Sequence, residues 1–130
     1  MIARRLVIEN IRSHRRAEVN FEEGFNCIVG GVGQGKTSIL YAIHFALFGE
    51  PLHRSYDYLM REGASYAKVV FEFEHANRLY RVVRALRRER SRIVQDTSQA
   101  RLYEGDRLIA WEKAAAVQEQ LRAILGIDRR

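Results

Sequence analysis

Apolar and polar residues alternate along the first part of the chain. Ile2 to Glu9 and Arg16 to Phe21 read as short β-strands and Phe25 to Val29 as a third, with Glu22-Glu23-Gly24 turning between the second and third. From Lys36 to Phe48 the spacing changes. Ile39, Leu40, Ala42, Ile43, Phe45, Ala46, Leu47 and Phe48 leave little polar face, which predicts a helix buried on most sides. Gly49-Glu50-Pro51 ends it, because glycine supplies the stop and proline cannot continue the hydrogen-bond ladder. A polar, irregular stretch runs from Leu52 to around Ser65.

Period-two alternation then returns. Val69, Phe71 and Phe73 point one way and Lys68, Glu72 and Glu74 the other, the pattern of a half-buried strand. His75-Ala76-Asn77 turns into a strand from Arg78 to Leu86. Shorter strands follow at Arg92 to Gln95 and Ala100 to Tyr103, and Glu104-Gly105-Asp106 turns into Arg107 to Ala110. Ala114, Val117, Leu121, Ile124 and Leu125 fall at helical spacing, with Gly126 as the stop. The fold class is α+β, with antiparallel strands in a mixed sheet around one buried early helix.

The 130 residues form a single unit of domain size, without internal repeats, low-complexity tracts or Gly/Ser/Pro-rich linkers. A composition of 47% hydrophobic and 29% charged residues excludes a disordered or fibrous chain. No run is apolar enough for a membrane span and Met1-Ile2-Ala3-Arg4-Arg5 leads into no signal-peptide core, so a cytoplasmic protein without membrane contact is expected. The lone Cys27 excludes an internal disulfide and any paired-cysteine metal clip, and its apolar surroundings read as core. The net charge is +6 and arginine supplies 19 of the 22 basic residues. Guanidinium groups suit phosphate ligands, although base composition or a hot habitat raises arginine use as well.

The chemistry concentrates in Gly30-Gly31-Val32-Gly33-Gln34-Gly35-Lys36-Thr37, which satisfies the phosphate-loop pattern G-x-x-x-x-G-K-[ST]. A chance match in a chain this short is roughly one in several hundred. Its setting is stronger evidence: an apolar strand leads in and a helix leads out, as the mechanism requires. Glycines let the backbone bring N–H groups close to phosphate oxygens, and the helix points its positive end at the same anion. Lys36 adds a point charge for the β- and γ-phosphates, the Thr37 hydroxyl is placed to ligate Mg²⁺, and Ser38 can donate toward the α-phosphate. The plainer alternative is a glycine-rich turn capping a core helix; Lys-Thr at this offset argues against it.

Together with this loop, the runs Ile8-Glu9-Asn10-Ile11-Arg12-Ser13-His14, Phe21-Glu22-Glu23-Gly24-Phe25-Asn26 and Ala42-Ile43-His44-Phe45-Ala46-Leu47-Phe48-Gly49 resemble the N-terminal lobe of SMC-like ATPases. They are most similar to the break-repair branch, which includes the ATPase of the archaeal Mre–Rad complex and its bacterial counterpart SbcC. The resemblance is tightest from Ile2 to Pro51 and looser through Gly63 and Phe71-Glu72-Phe73 to Ile127. It implies an ABC-type P-loop head built from two lobes separated by a long coiled coil, with ATP and Mg²⁺ as cofactors. Arg12 and Ser13 would touch the phosphates and ribose, the segment including Gly30, Val32, Gly33, Gln34, Gly35, Lys36, Thr37 and Ser38 would wrap the triphosphate, and Met60, Arg61 and Glu62 would lie beside the nucleoside. The implied partners are a C-terminal lobe of the same or another chain, a second head, a Mre/SbcD-type nuclease and double-stranded DNA.

Two positions depart from the family pattern. Val32 stands where asparagine is usual, and Tyr41 where an acidic residue is common, one turn into the helix. No apolar strand ends in Asp-Glu, and no Ser-Gly-Gly signature, glutamine loop or heptad array occurs. A half-site is therefore expected, binding ATP weakly alone and hydrolysing it only when a second lobe completes it.

Alternative readings are another SMC-like or RecF-like head, and a non-catalytic DNA-binding module with a vestigial loop. The absence of an NKxD motif disfavours a GTPase, and antiparallel strands after the loop disfavour a nucleotide kinase. Arg81, Arg84, Arg87, Arg88, Arg90 and Arg92 form a dense cationic run that could follow a DNA backbone or simply face solvent. His44 and His75 read as structural, on the buried helix and at a turn.

Overall fold

Phe71 and Phe73 require a dry side and Lys68, Glu72 and Glu74 a wet one, so the strand carrying them must separate a core from solvent. The computed structural model, which describes residues 1–21 and 36–126, meets this demand with a seven-stranded sheet covered on one face by two helices. In chain order the elements are β1 (Ile2–Ile11), β2 (His14–Asn20), α1 (Lys36–Phe48), β3 (Tyr66–His75), β4 (Arg78–Glu89) and β5 (Arg92–Gln95). A 3₁₀ turn at Thr97–Gln99, β6 (Arg101–Glu104), β7 (Arg107–Trp111) and α2 (Ala114–Leu125) complete them. The expected strand over 25–29, Cys27 and the glycine-rich loop up to Gly35 lie outside the described residues.

The sheet runs β2-β1-β3-β4-β6-β7, and β5 pairs with β4 as well. Every pairing among the described strands is antiparallel. β4 extends three residues beyond the expected Leu86, and that length lets one edge serve two partners: Leu86 to Glu89 pair with β5, and Tyr80 to Val83 with β6. β1 likewise runs on to Ile11, past the expected Glu9.

Pairing between β3 and β4 places Phe71 opposite Val82 and Phe73 opposite Tyr80, all buried and on the helix side. Phe73 and Tyr80 stack with ring centroids 5.4 Å apart. On β1, Leu6 and Ile8 share this face, and a register shift between Ala3 and Arg5 brings Ala3 to it as well. Each large apolar side chain moved from water into this interior contributes roughly 1.5–3 kcal/mol.

Beyond Lys36 and Thr37, α1 is buried or half-buried at every position but Leu40. Ile39, Ala42, Phe45, Ala46 and Leu47 pack toward the sheet, while Leu40 is 47% exposed. Tyr41, Ile43 and Phe48 are partly buried against the same core. α2 buries Val117 and Leu121 beside β7 and ends at Gly126, which takes the left-handed conformation that glycine permits.

The structure corrects the reading of the arginine run as one exposed strip. Strand alternation sends Arg81 and Arg87 to the outer face but Arg84 inward with Val82 and Leu86, where it is fully buried. Its Nε donates to the carbonyl of Ala46 at 2.8 Å and its Nη2 to Oε1 of Gln118 at 3.0 Å, so one guanidinium joins the end of α1 to α2. Burial pushes its pKa down to about 10, which leaves it charged at neutral pH. Arg88 stays exposed, but its Nε is tied down by donating to the carbonyl of Ala64.

Gly49 ends α1 against this arginine. Its φ is +66°, and an added Cβ would lie 2.5 Å from Nη1 of Arg84. Gly63, with φ +81°, has open space around it. Gly49→Ala is therefore expected to cost about 2 kcal/mol or more, and Gly63→Ala only about 1 kcal/mol of backbone strain, as read from urea denaturation midpoints.

His44 stacks on Phe48 at 4.8 Å, and its Nδ1 is buried with no partner among the described residues. Desolvation holds its pKa below the ordinary histidine value, opposed by the charge of Glu50. Between the folded and unfolded pKa values the unfolded chain binds more protons, so stability falls as pH drops from about 7 through 6.5. His44→Gln should flatten that part of the stability–pH curve and leave it unchanged above pH 7.5.

Candidate functional site

The first turn of α1 stays wet while the rest of the helix is buried. Lys36 and Thr37 are exposed, whereas Ser38 is 2% exposed beneath them. An N-terminal turn with free N–H groups, an ammonium and a hydroxyl is chemically suited to an anion. Gly30, Val32, Gly33, Gln34 and Gly35, expected to wrap a triphosphate, lie outside the described residues.

Arg12 and Ser13 form the turn between β1 and β2. Asn10 and Arg12 both have positive φ, 56° and 53°, a conformation costly for an arginine, and the neighbouring loop holds it in place. The Arg12 N–H donates to the carbonyl of Leu59 and the Arg61 N–H to the carbonyl of Asn10, each at 2.8 Å. Ile11 and Met60 form an isolated bridge between these hydrogen bonds. The Asn10 side chain donates to the carbonyl of Tyr66, whose hydroxyl in turn donates to Glu9. The 56–62 loop is thereby stapled to the β1–β2 turn.

Between them lies an open hollow of about 660 Å³ lined by Arg12, Ser13, Asp57, Tyr58, Met60, Arg61 and Glu62. Five of these residues, separated by nearly fifty positions in the chain, are those the family resemblance singled out. Sequence reasoning missed Asp57 and Tyr58, which no motif marks. Tyr58 is positioned by a hydrogen bond that its hydroxyl oxygen accepts from the Leu52 N–H at 3.0 Å and by an edge contact with His53 at 5.2 Å. Burial raises the Tyr58 pKa, so its hydroxyl stays protonated at neutral pH.

Tyr41 connects the helix to the hollow. Its ring meets Tyr58 edge to face at 5.1 Å, and the Arg12 guanidinium lies 5.1 Å from its centroid. Arg12 Nη1 also donates to the carbonyl of Tyr58 at 3.2 Å. Thr37 and Tyr41 are four residues apart on α1 and so share a face, about 6 Å apart along the axis.

Cations also gather where the arginine run did not place them. On the outer face of the sheet, Arg5, Arg16, Lys68, Arg81 and Arg101 from five different strands line a shallow hollow of about 410 Å³ with Tyr103. Arg81 lies 4.2 Å over the Tyr103 ring. Arg5 is neutralised locally by hydrogen bonds to Glu18 and Glu72, which raise its pKa and lower that of Glu18. Only strand order could have revealed this cluster, because its members are scattered over nearly a hundred residues.

With this geometry described, comparison with known proteins gives a consistent result. The family model described as an AAA domain matches residues 5–129. A DNA double-strand break repair Rad50 ATPase of Methanopyrus kandleri is 40% identical over 96% of this chain, and one of Methanococcus maripaludis 36% over 98%. A third, from Methanocaldococcus jannaschii, is 32% identical over 99%. The chain spans 12 to 14% of the length of these three relatives. It belongs to the AAA domain family and, within that family, resembles the N-terminal lobe of the Rad50-like, SMC-type ATPases.

Proposed function

We propose that this protein binds ATP with Mg²⁺ at the N-terminal turn of α1 and serves as the N-terminal half of a cytoplasmic ATPase head in DNA double-strand-break repair. The observation that carries the reading is that Tyr41, whose ring meets the Arg12 guanidinium beside the Met60–Glu62 hollow, lies one turn beyond the exposed Lys36–Thr37 end of α1. The residues suit the ligand. Two cations and a hydroxyl match a metal-bound triphosphate, and the hollow falls within the usual range of about 300–1,000 Å³ for small-molecule sites.

In this reading Lys36 binds the β- and γ-phosphates, Thr37 holds Mg²⁺, and Arg12 supplies a guanidinium to the phosphates. Ser13, Met60, Arg61 and Glu62 flank the nucleoside, and Gly30, Val32, Gly33, Gln34, Gly35 and Ser38 complete the cradle. Bound Mg²⁺ and ATP supply counter-charge and the scissile phosphoanhydride, while the chain's own groups bind and orient. The sequence holds no apolar run ending in Asp-Glu to activate water, so in this reading hydrolysis awaits a C-terminal lobe and pairing with a second head. Leu40, 47% exposed on a helix otherwise largely buried beyond its first two residues, fits cover by a further lobe.

The outer basic face supports double-stranded DNA as a partner, with a Mre/SbcD-type nuclease as a further component of the assembly. Lys68, Arg81 and Arg101 there would pair with phosphates and make affinity fall with salt.

Lys36→Ala should weaken Mg²⁺-dependent binding of a nonhydrolysable ATP analogue by well over tenfold in calorimetric titration, as expected for loss of a charged contact worth roughly 1.5–3 kcal/mol. Salt-dependent DNA binding indifferent to ATP and to Lys36→Ala would instead favour the vestigial-loop reading.

A further inference from the structure

We infer that Tyr41 is a positioning residue that holds the Arg12 guanidinium over the phosphate end of the nucleotide site without neutralising it. The inference rests on the ATP reading above and extends it to a position where this chain departs from the family pattern.

Arg12 must be held, because an arginine side chain loses about 2 kcal/mol of rotamer entropy when ordered, and that cost falls on binding unless it has been met beforehand. The usual way to order a guanidinium is a carboxylate partner, which also cancels its charge. Here the ring of Tyr41 faces the guanidinium at 5.1 Å, and the only hydrogen bond of the Arg12 side chain among the described residues runs from Nη1 to the neutral carbonyl of Tyr58. Both contacts attract a cation and neither carries a compensating charge. Among the described residues no acceptor is paired with Nε or Nη2.

The aromatic support is itself supported. Tyr41 meets Tyr58 edge to face, Tyr58 meets His53 in the same way, and the Tyr58 hydroxyl oxygen accepts from the Leu52 N–H. The backbone of Arg12 is fixed independently by its N–H bond to Leu59. Because Tyr41 lies one turn beyond Thr37 on the same helix face, the guanidinium is held against α1 about one helical turn from the residue assigned to the metal. A carboxylate at position 41 would compete with the triphosphate for Arg12; the ring does not.

A double-mutant cycle read by titration with Mg²⁺ and a nonhydrolysable ATP analogue tests this. Tyr41→Phe keeps the ring and should leave Kd within about twofold, whereas Tyr41→Leu should raise it about three- to tenfold. In an Arg12→Ala background, Tyr41→Leu should add nothing. An equal loss from Tyr41→Leu in both backgrounds would show that Tyr41 merely packs the helix, and would overturn the inference. So would an unchanged Kd in Tyr41→Leu while Arg12→Ala and Lys36→Ala both weaken binding. If Lys36→Ala and Arg12→Ala leave Kd unchanged, the ATP reading fails and this inference with it. Thermal unfolding of each variant separates a weakened site from a weakened fold.

Discussion

A helix too apolar to stand in water, yet carrying its functional groups in its first turn, governs this fold. α1 must be buried along Ile39, Ala42, Phe45, Ala46 and Leu47, and must leave Lys36 and Thr37 in solvent. The sheet meets both conditions by receiving the helix across β1, β3 and β4 with its N-terminal turn clear of the packed interface. Burial of the later turns is the source of stability, since an isolated helix of this length is marginal in water. Exposure of Lys36 and Thr37 leaves the start of the helix accessible to an anion.

The two ends of α1 are held by different chemistry. At the C-terminal end the buried Arg84 reaches from β4 to the Ala46 carbonyl and on to Gln118 of α2, and Gly49 leaves it room. Replacing that guanidinium with a smaller group would leave a buried carbonyl and amide without their donor, a costly loss. Near the N-terminal end, Tyr41 meets Arg12 and Tyr58, groups that also belong to the candidate site. One end of the helix is thus fixed by the fold, and the other is coupled to ligand-facing side chains.

The β1–β2 turn applies the same economy. Arg12 occupies a left-handed backbone conformation, held there by its own N–H bond to the Leu59 carbonyl and by the Arg61 N–H bond to the carbonyl of Asn10. Strain of this kind persists only where neighbouring structure over-determines it. In this case it sets the exposed guanidinium against the Tyr41 ring, one helical turn along α1 from Thr37.

The sequence by itself determined the elements and the chemistry of the loop. Period-two alternation in Val69, Phe71 and Phe73 defined β3, the apolar run after Lys36 defined α1, and Gly49 and Gly126 marked both helix stops, because these signals depend on neighbours a few residues apart. Only the tertiary structure decided what distant residues do together. It split the arginine run by burying Arg84, and it gathered Arg5, Arg16, Lys68, Arg81 and Arg101 from separate strands. It also brought Asp57 and Tyr58 to the hollow and seated Arg12 on Tyr41. Local pattern shows which way a side chain alternates along its strand, but strand order and register decide whose side chain it meets.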